Sequence, residues 1–359
     1  MGIRRLAVLG TAVVMGLTAT VTTASADTGG DVDPAVVQAA LDRMAKDGVQ
    51  GVQVRIVDDG ETLVLRSGTA RLNSQRPVPL DGRFRVGSVT KTFVSTVVLQ
   101  LVDEGKVGLD EPVTRYLPGL VDDRITVRMM LQHTSGLFNY TNALLRDPES
   151  FVRERFRHYS AEQLLEIGTS RPLDFEPGTD WSYSNTNYIL AGMLIEEVSG
   201  QSWERAVERR ILRPLGLRDT RTGGIVPQGP HAHGYMTAWG KPVDVTAMNS
   251  SVAGAAGAMI STTADLDRFL DALLSGELLP ASLLAQMRTT VDDYGLGLGR
   301  SELPCGTVAW GHDGGIPGYV TVTMSTADTS TRMIMSVTSA PTPGAADGLT
   351  DVLAEVFCS

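Results

Sequence analysis

The chain is short of lysine. Among its 359 residues only Lys46, Lys91, Lys106 and Lys241 carry an ammonium, while acidic residues outnumber basic ones 41 to 31. No basic cluster with interleaved aromatics appears, so the electrostatic footprint of a nucleic-acid-binding protein is missing. Cysteine is scarcer still: Cys305 and Cys358 are the only two. Two distant thiols are too few for a cysteine metal site. In an exported chain they read as one disulfide, tying the last helix to an earlier strand. After the first 26 residues no apolar run reaches the ~20 residues that span a bilayer, which predicts a soluble chain without a membrane anchor. Internal repeats, low-complexity tracts and long flexible linkers are also absent.

The N-terminus is different. Arg4 and Arg5 precede "LAVLGTAVVMGLTATV", and Ala24-Ser25-Ala26 offers small residues ahead of Asp27. This pattern predicts a secretory signal peptide over residues 1–26, cleaved after Ala26, and a secreted protein. The rest is long enough for one large domain or two small ones with ample core.

Along the chain, "DPAVVQAALDRMAKDG" predicts a helix capped by Asp33, with Pro34 in its first turn and Gly48 as its stop. Two alternating runs around Asp59-Gly60 predict a hairpin. Val89 to Glu104 reads as a helix ended by Gly105. The middle is mostly helical pattern, as in "SAEQLLEIG", "TNYILAGMLIEEVSG" and "TADLDRFLDALLSG". The end reads as three strands, "TVAWGHDGG", "YVTVTMSTAD" and "TRMIMSVTSA", and a last helix, "DGLTDVLAEVF". The expected fold is therefore α/β plus all-α. An antiparallel sheet comes from both chain ends (27–125 and 285–359) with terminal helices on one face, and a helical domain (126–284) is inserted.

One lysine is placed for chemistry. In "FRVGSVTKTF", Ser88 and Lys91 sit three apart at the start of an apolar helix, so they share a face. The helix start leaves backbone N–H groups free to meet an oxyanion. A serine hydroxyl needs a base, and a lysine can be one only if burial or a nearby cation lowers its ordinary pKa of about 10.4. By itself the pair also reads as a helix cap beside an exposed lysine. Two further motifs bear on it. Tyr183 and Asn185 stand two apart before a strongly apolar helix, able to relay a proton and to hold a carbonyl. His312, Asp313 and Gly314 fall on the first of the three C-terminal strands, where glycine lets another backbone come close.

In this order, Ser-x-x-Lys, Tyr-x-Asn and His-x-Gly resemble the motif set of the serine β-lactamases and penicillin-binding proteins, on its class C side. "LQLVDEGKVGLDEPV", "DDRITVRMMLQHTSGL", "YSNTNY", "STTADLDRF" and "YGLGLG" are similar to the secreted actinobacterial D-alanyl-D-alanine carboxypeptidases, over nearly the whole chain after the leader. The paired cysteines fit as well. The resemblance implies Ser88 as acylated nucleophile and Lys91 as its activator. It implies Tyr183 as proton relay, base in acylation and acid toward the leaving group, and Asn185 as the orienting amide. His312 and Gly314 belong to the strand triad, with His312 adding positive field near Tyr183. The backbone N–H groups of Ser88 and Gly315 form the oxyanion hole. No metal or cofactor is implied. The implied ligands are peptidoglycan stem peptides ending in D-Ala-D-Ala, other small acyl substrates and acylating β-lactams, and the expected state is a monomer.

The sequence also departs from that family. Its carboxypeptidases grip the terminal carboxylate with an arginine after "YGLGL" and with threonines beside the strand histidine. Here those positions are Gly299, Asp313 and Gly315. A carboxylate at Asp313 repels a substrate carboxylate. Arg300 is one residue along, a shift that on a strand reverses the face. A D-Ala-D-Ala carboxypeptidase is the expected activity. An esterase or D-amino-acid amidase on the same scaffold is the nearest alternative, and a β-lactamase the next. No Gly-x-Ser-x-Gly surrounds Ser88, which excludes an α/β-hydrolase elbow. His231 and His233 lack a third ligand and read as a loop rather than a metal site, and His133 reads as a turn at a helix end.

Overall fold

The computed structural model describes residues 32–338 and 343–359; the expected leader, 1–26, lies outside them. Helix α1 (Pro34–Lys46) starts as its sequence requires: Asp33 Oδ1 accepts from Ala35 N at 2.8 Å, and Pro34 fills the first turn. Its buried residues, Val37, Ala40, Leu41 and Met44, fall on one helical stripe. Strands β1 (Gly51–Asp58) and β2 (Glu61–Gly68) form the predicted hairpin. Asp59 and Gly60 both take positive φ, 44° and 90°, the geometry that Asp-Gly supplies to a two-residue turn.

Strand β3 (Phe84–Arg85) leads into a short 3-10 turn, Gly87–Val89, and then helix α2 (Thr90–Asp103). Eleven residues of α2 are buried, polar ones included. The polar groups are paired: Thr92 donates to the Gly297 carbonyl at 2.8 Å, and Ser95 shares a 2.9 Å bond with the Tyr188 hydroxyl. Helices α3 (Ala161–Thr169) and α4 (Asn185–Ser199) pack beside α2 in one core. Strands β4 (Tyr235–Ala238), β5 (Lys241–Asp244) and β6 (Ile260–Ser261) follow, then helix α5 (Thr263–Leu274). Strands β7 (Gly299–Glu302), β8 (Val308–Ile316), β9 (Tyr319–Thr326) and β10 (Thr331–Thr338) precede helix α6 (Pro343–Cys358).

The main sheet has the order β2-β1-β10-β9-β8-β7 and is antiparallel throughout. It is built from both chain ends, as expected, with α1 and α6 on one face. The inserted part is less uniform than the sequence implied. Helix α5 lies inside the span 126–284 but packs on β1, β9 and β10. Its Asp267 is held by Arg332 Nε at 2.6 Å and by Arg55 Nε at 3.3 Å, which fastens it to both sheet strands. The same span also holds the β4–β5 hairpin, which pairs Trp239 and Gly240 at positive φ, and β6, which pairs with β3. β7 is a fourth C-terminal strand. "GRSE" has no β-branched residue and no alternation, so its strand character comes only from pairing with β8. Among the described residues no helix is long and apolar enough to cross a membrane.

Cys305 and Cys358 are bonded, with Cα atoms 5.7 Å apart and a sequence separation of 53. The bond ties the end of α6 to the β7–β8 turn. Closing a loop of that length stabilises a fold by about 4 kcal/mol on the chain-entropy account. Replacing both cysteines by serine is expected to cost about 2–4 kcal/mol in denaturant unfolding. An unchanged midpoint would show that α6 is held by packing alone.

Candidate active site

The site begins with a backbone contact. Gly87 has φ 52°, and a Cβ there would lie 2.9 Å from the Gly315 nitrogen. A Cβ on Gly314 would lie 1.9 Å from the Val86 carbonyl oxygen. Only glycine at both places lets the Gly87–Val89 turn rest against β8. Gly315 itself opens into free space. Ile316 and Tyr319 close the two-residue Pro317-Gly318 turn, so hydrogen-bonded pairs recur at 314/321 and 312/323. The backbone groups of Asp313 and Gly315 therefore point away from β9. β7 pairs with β8 only as far as Gly311, and among the described residues no strand covers the edge beyond it. The Ser88 and Gly315 amides thus come together at an uncovered sheet edge.

Ser88, Lys91, Tyr183 and Asn185 converge on this edge. Ser88 Oγ lies 3.0 Å from Lys91 Nζ and accepts from the Tyr183 hydroxyl at 2.7 Å. Lys91 is fully buried, and Nζ also meets Asn185 Oδ1 at 2.8 Å and the Ala256 carbonyl at 2.6 Å. Burial holds the Lys91 amine well below its ordinary pKa of 10.5. A neutral amine has two N–H donors and one lone pair. With Asn185 and Ala256 taking the donors, the lone pair is left for the Ser88 hydroxyl proton. Burial, with smaller effects from Tyr188, Tyr140 and Asp313, raises the Tyr183 phenol above its ordinary range against the opposing Ser88 bond. Tyr183 therefore rests protonated.

Of the supporting residues the sequence marked only His133, as the turn at a helix end that the structure shows. Asn139 Oδ1 accepts from the backbone N of Asn185 at 3.1 Å and from its Nδ2 at 3.3 Å, and Thr141 Oγ1 takes the same amide at 3.2 Å. These bonds turn the Asn185 oxygen toward Lys91. His133, at φ 64° after its short helix, is buried against the Tyr183 ring at 4.3 Å between centroids. Its Nδ1 faces the Ser184 N–H and the Asn187 amide, which places its proton on Nε2. Arg85, three residues before Ser88, is buried among carbonyls: Thr246 O at 3.0 Å, Gly224 O at 3.2 Å and Met248 O at 3.3 Å. Burial lowers it to about 10, so it stays charged and clamps those loops. No motif marks the others, because each acts on a neighbour brought in by the fold.

Two expectations are corrected. His312 supplies no positive field. Burial above all pushes it down from 6.5 to about 3. Its Nδ1 bonds the Asp313 carbonyl at 2.5 Å, so Nε2 accepts from the Tyr294 hydroxyl at 2.9 Å, and the neutral ring is fully used. Arg300 does not reach the site. It stands opposite Trp310, on the face of His312, and pairs with Glu302 at 2.8 Å and Asp293 at 3.2 Å. Gly299 stands opposite Gly311, so it shares a face with Asp313 and Gly315. Asp313 is exposed at the strand edge, while the protein beside it desolvates its carboxyl and raises it to about 6. His231 and His233 stack at 5.3 Å away from this cluster, with His233 bonded to Asp244 at 2.7 Å.

Known proteins share this fold. A family profile described as Beta-lactamase matches residues 36–356. The chain belongs to the beta-lactamase family. Within that family it superposes on a D-stereospecific amidohydrolase from Streptomyces sp. with a TM-score of 0.83 and 39% identity, over 91% of this chain and 99% of that one. It is also similar to the D-amino acid amidase of Ochrobactrum anthropi SV3, at a TM-score of 0.79 and 30% identity, over 90% and 97% of the two chains. Penicillin-binding protein 4* of Bacillus subtilis (strain 168) is 28% identical over 290 residues, 75% of this chain. The match spans 64% of that protein, less than two thirds of its length.

The buried rings make stability depend on pH. His312 stays neutral down to about 3, and burial likewise holds His133 well below 6.5, whereas both take up protons near 6.5 when unfolded. Below that pH the unfolded chain binds protons that the folded chain does not, so stability falls with acid. Asp313, raised to about 6 from 3.8, works the other way over its own window, but it is one group against the two rings and Lys91, whose amine burial also holds below its ordinary pKa. The melting temperature is expected to drop from pH 7.5 to 5.5, and His312→Gln to remove part of that slope. A flat profile would mean that these rings are charged in the fold.

Proposed function

We propose that the protein is an active-site-serine hydrolase that works through an acyl-enzyme, on amides or esters of D-amino acids. The observation that carries this reading is the Ser88 oxygen, held at 2.7 Å from the Tyr183 hydroxyl and 3.0 Å from a desolvated lysine amine. The Ser88 proton moves to Lys91 Nζ as Oγ adds to the substrate carbonyl. The oxyanion is met by the Ser88 and Gly315 amides. When the carbon–nitrogen or carbon–oxygen bond breaks, Tyr183 gives its proton to the leaving group and is reprotonated from Lys91. Water then repeats the steps in reverse order and frees Ser88.

The choice of substrate rests on charge. A carboxypeptidase needs a cation for the terminal carboxylate. The face that would bind it carries Gly299, Gly315 and the Asp313 carboxylate, while Arg300 faces the other way. The similarity to a D-stereospecific amidohydrolase supports the same choice. D-Ala-D-Ala carboxypeptidase activity is the second reading, favoured by the penicillin-binding relative, and β-lactam acylation of Ser88 fits either. Export follows from residues 1–26, and N-terminal sequencing of protein from the medium is expected to begin at Asp27.

Initial rates on a D-amino-acid amide, the corresponding methyl ester and a D-Ala-D-Ala tripeptide test the proposal. The uncharged substrates are expected to lead, and Ser88→Ala to lower kcat by at least about a thousandfold. Preferred release of D-alanine would establish the carboxypeptidase reading. Labelled penicillin bound equally by Ser88→Ala would remove Ser88 as the nucleophile.

A further inference from the structure

Asp313 is the one charged residue of the site that the proposed chemistry leaves unused. Among the described residues its carboxylate makes no hydrogen bond and no ion pair, and the residue is exposed. It sits two residues before Gly315 on the uncovered edge of β8, on the face of Gly299. The ring of the adjacent His312 bonds the Tyr294 hydroxyl, and the Tyr294 ring stands 6.1 Å from that of Tyr183, the group assigned above to protonate the leaving group. The Asp313 charge acts on the same phenol, and this neighbourhood is taken as the leaving-group side of Ser88. Neither candidate cation neutralises it. Arg300 is on the opposite strand face between Glu302 and Asp293, and Lys91 is enclosed by Ser88, Asn185 and Ala256.

We propose that Asp313 is a specificity determinant that selects substrates whose leaving group carries a cation, an ammonium above all, and rejects those whose leaving group carries a carboxylate. An unpaired carboxylate at a protein surface attracts a positive charge more strongly than the same group in bulk water. A leaving group with an ammonium a few ångströms beyond the scissile bond would supply the missing partner. A carboxylate in that place meets like charge with no counter-ion. This inference rests on the acyl-enzyme reading, since it takes Tyr183 as the mark of the leaving-group side.

The test uses three N-acetyl-D-alanyl esters that share one acyl group. Their alcohols are choline, which is cationic; 3,3-dimethylbutanol, its neutral isostere; and 3-hydroxypropanoate, which is anionic. In kcat/KM the wild type is expected to prefer the choline ester to its isostere, and the isostere to the anionic ester, by about tenfold at each step. Asp313→Asn should bring the three together. Gly299→Arg places a cation diagonal to Asp313, where an added Cβ meets nothing closer than the Gly311 oxygen at 3.4 Å, and should invert the order. Melting curves of both variants separate a folding defect from a change of preference. Equal ratios in wild type and Asp313→Asn would overturn the role of Asp313 and leave the hydrolase reading standing. Failure of the wild type to cleave any of the three beyond the Ser88→Ala background would overturn the reading beneath it as well.

Discussion

An amine without water around it organises this protein. Lys91 is fully buried, on a helix whose other inward positions are apolar or internally bonded. Desolvation disfavours the ammonium, and the two carbonyl oxygens in reach take its N–H groups. The wall of His133, Tyr183, Tyr188 and Tyr294 keeps that region dry. Were α2 at the surface, the same Ser-x-x-Lys spacing would give a hydrated ammonium beside an ordinary hydroxyl.

The second requirement is that two backbones touch. The Gly87–Val89 turn and β8 come from distant parts of the chain, and a methyl group at Gly87 or Gly314 would separate them. The sheet brings them together because its strands come from both ends of the sequence, with β10 beside β1 and β8 at the far side near the short β7. Stopping β7 at the level of Gly311 leaves the edge beyond it open for an extended substrate. Arg85 then fixes the loops around Gly224 and Thr246 by a cation shared among carbonyls rather than by an ion pair.

The charge pattern of the cleft follows from strand alternation. His312 and Arg300 share one face, where the histidine is neutral and the arginine already paired. Asp313, Gly315 and Gly299 share the other, where the only charge is negative. Of the residues that the resemblance assigns to the chemistry, His312 lies on the first face and Lys91 in α2, while Gly299, Asp313 and Gly315, where the sequence departs from the carboxypeptidase pattern, lie on the second.

The convergence of Ser88, Lys91, Tyr183 and Asn185 was legible because motifs of this kind recur in a fixed order and spacing. So were α1, the first hairpin and the sheet drawn from both ends, because Asp33, Asp59-Gly60 and the alternating runs act locally. The sequence by itself determined these, along with the pair of cysteines. Tertiary structure decided the rest. The protonation of Lys91 and His312 depends on what surrounds them, and those neighbours come from Ala256, Tyr294 and other distant positions. β7 and the position of α5 depend on partners rather than on propensity. The face on which Arg300 falls depends on register, since one residue along a strand reverses the direction of a side chain.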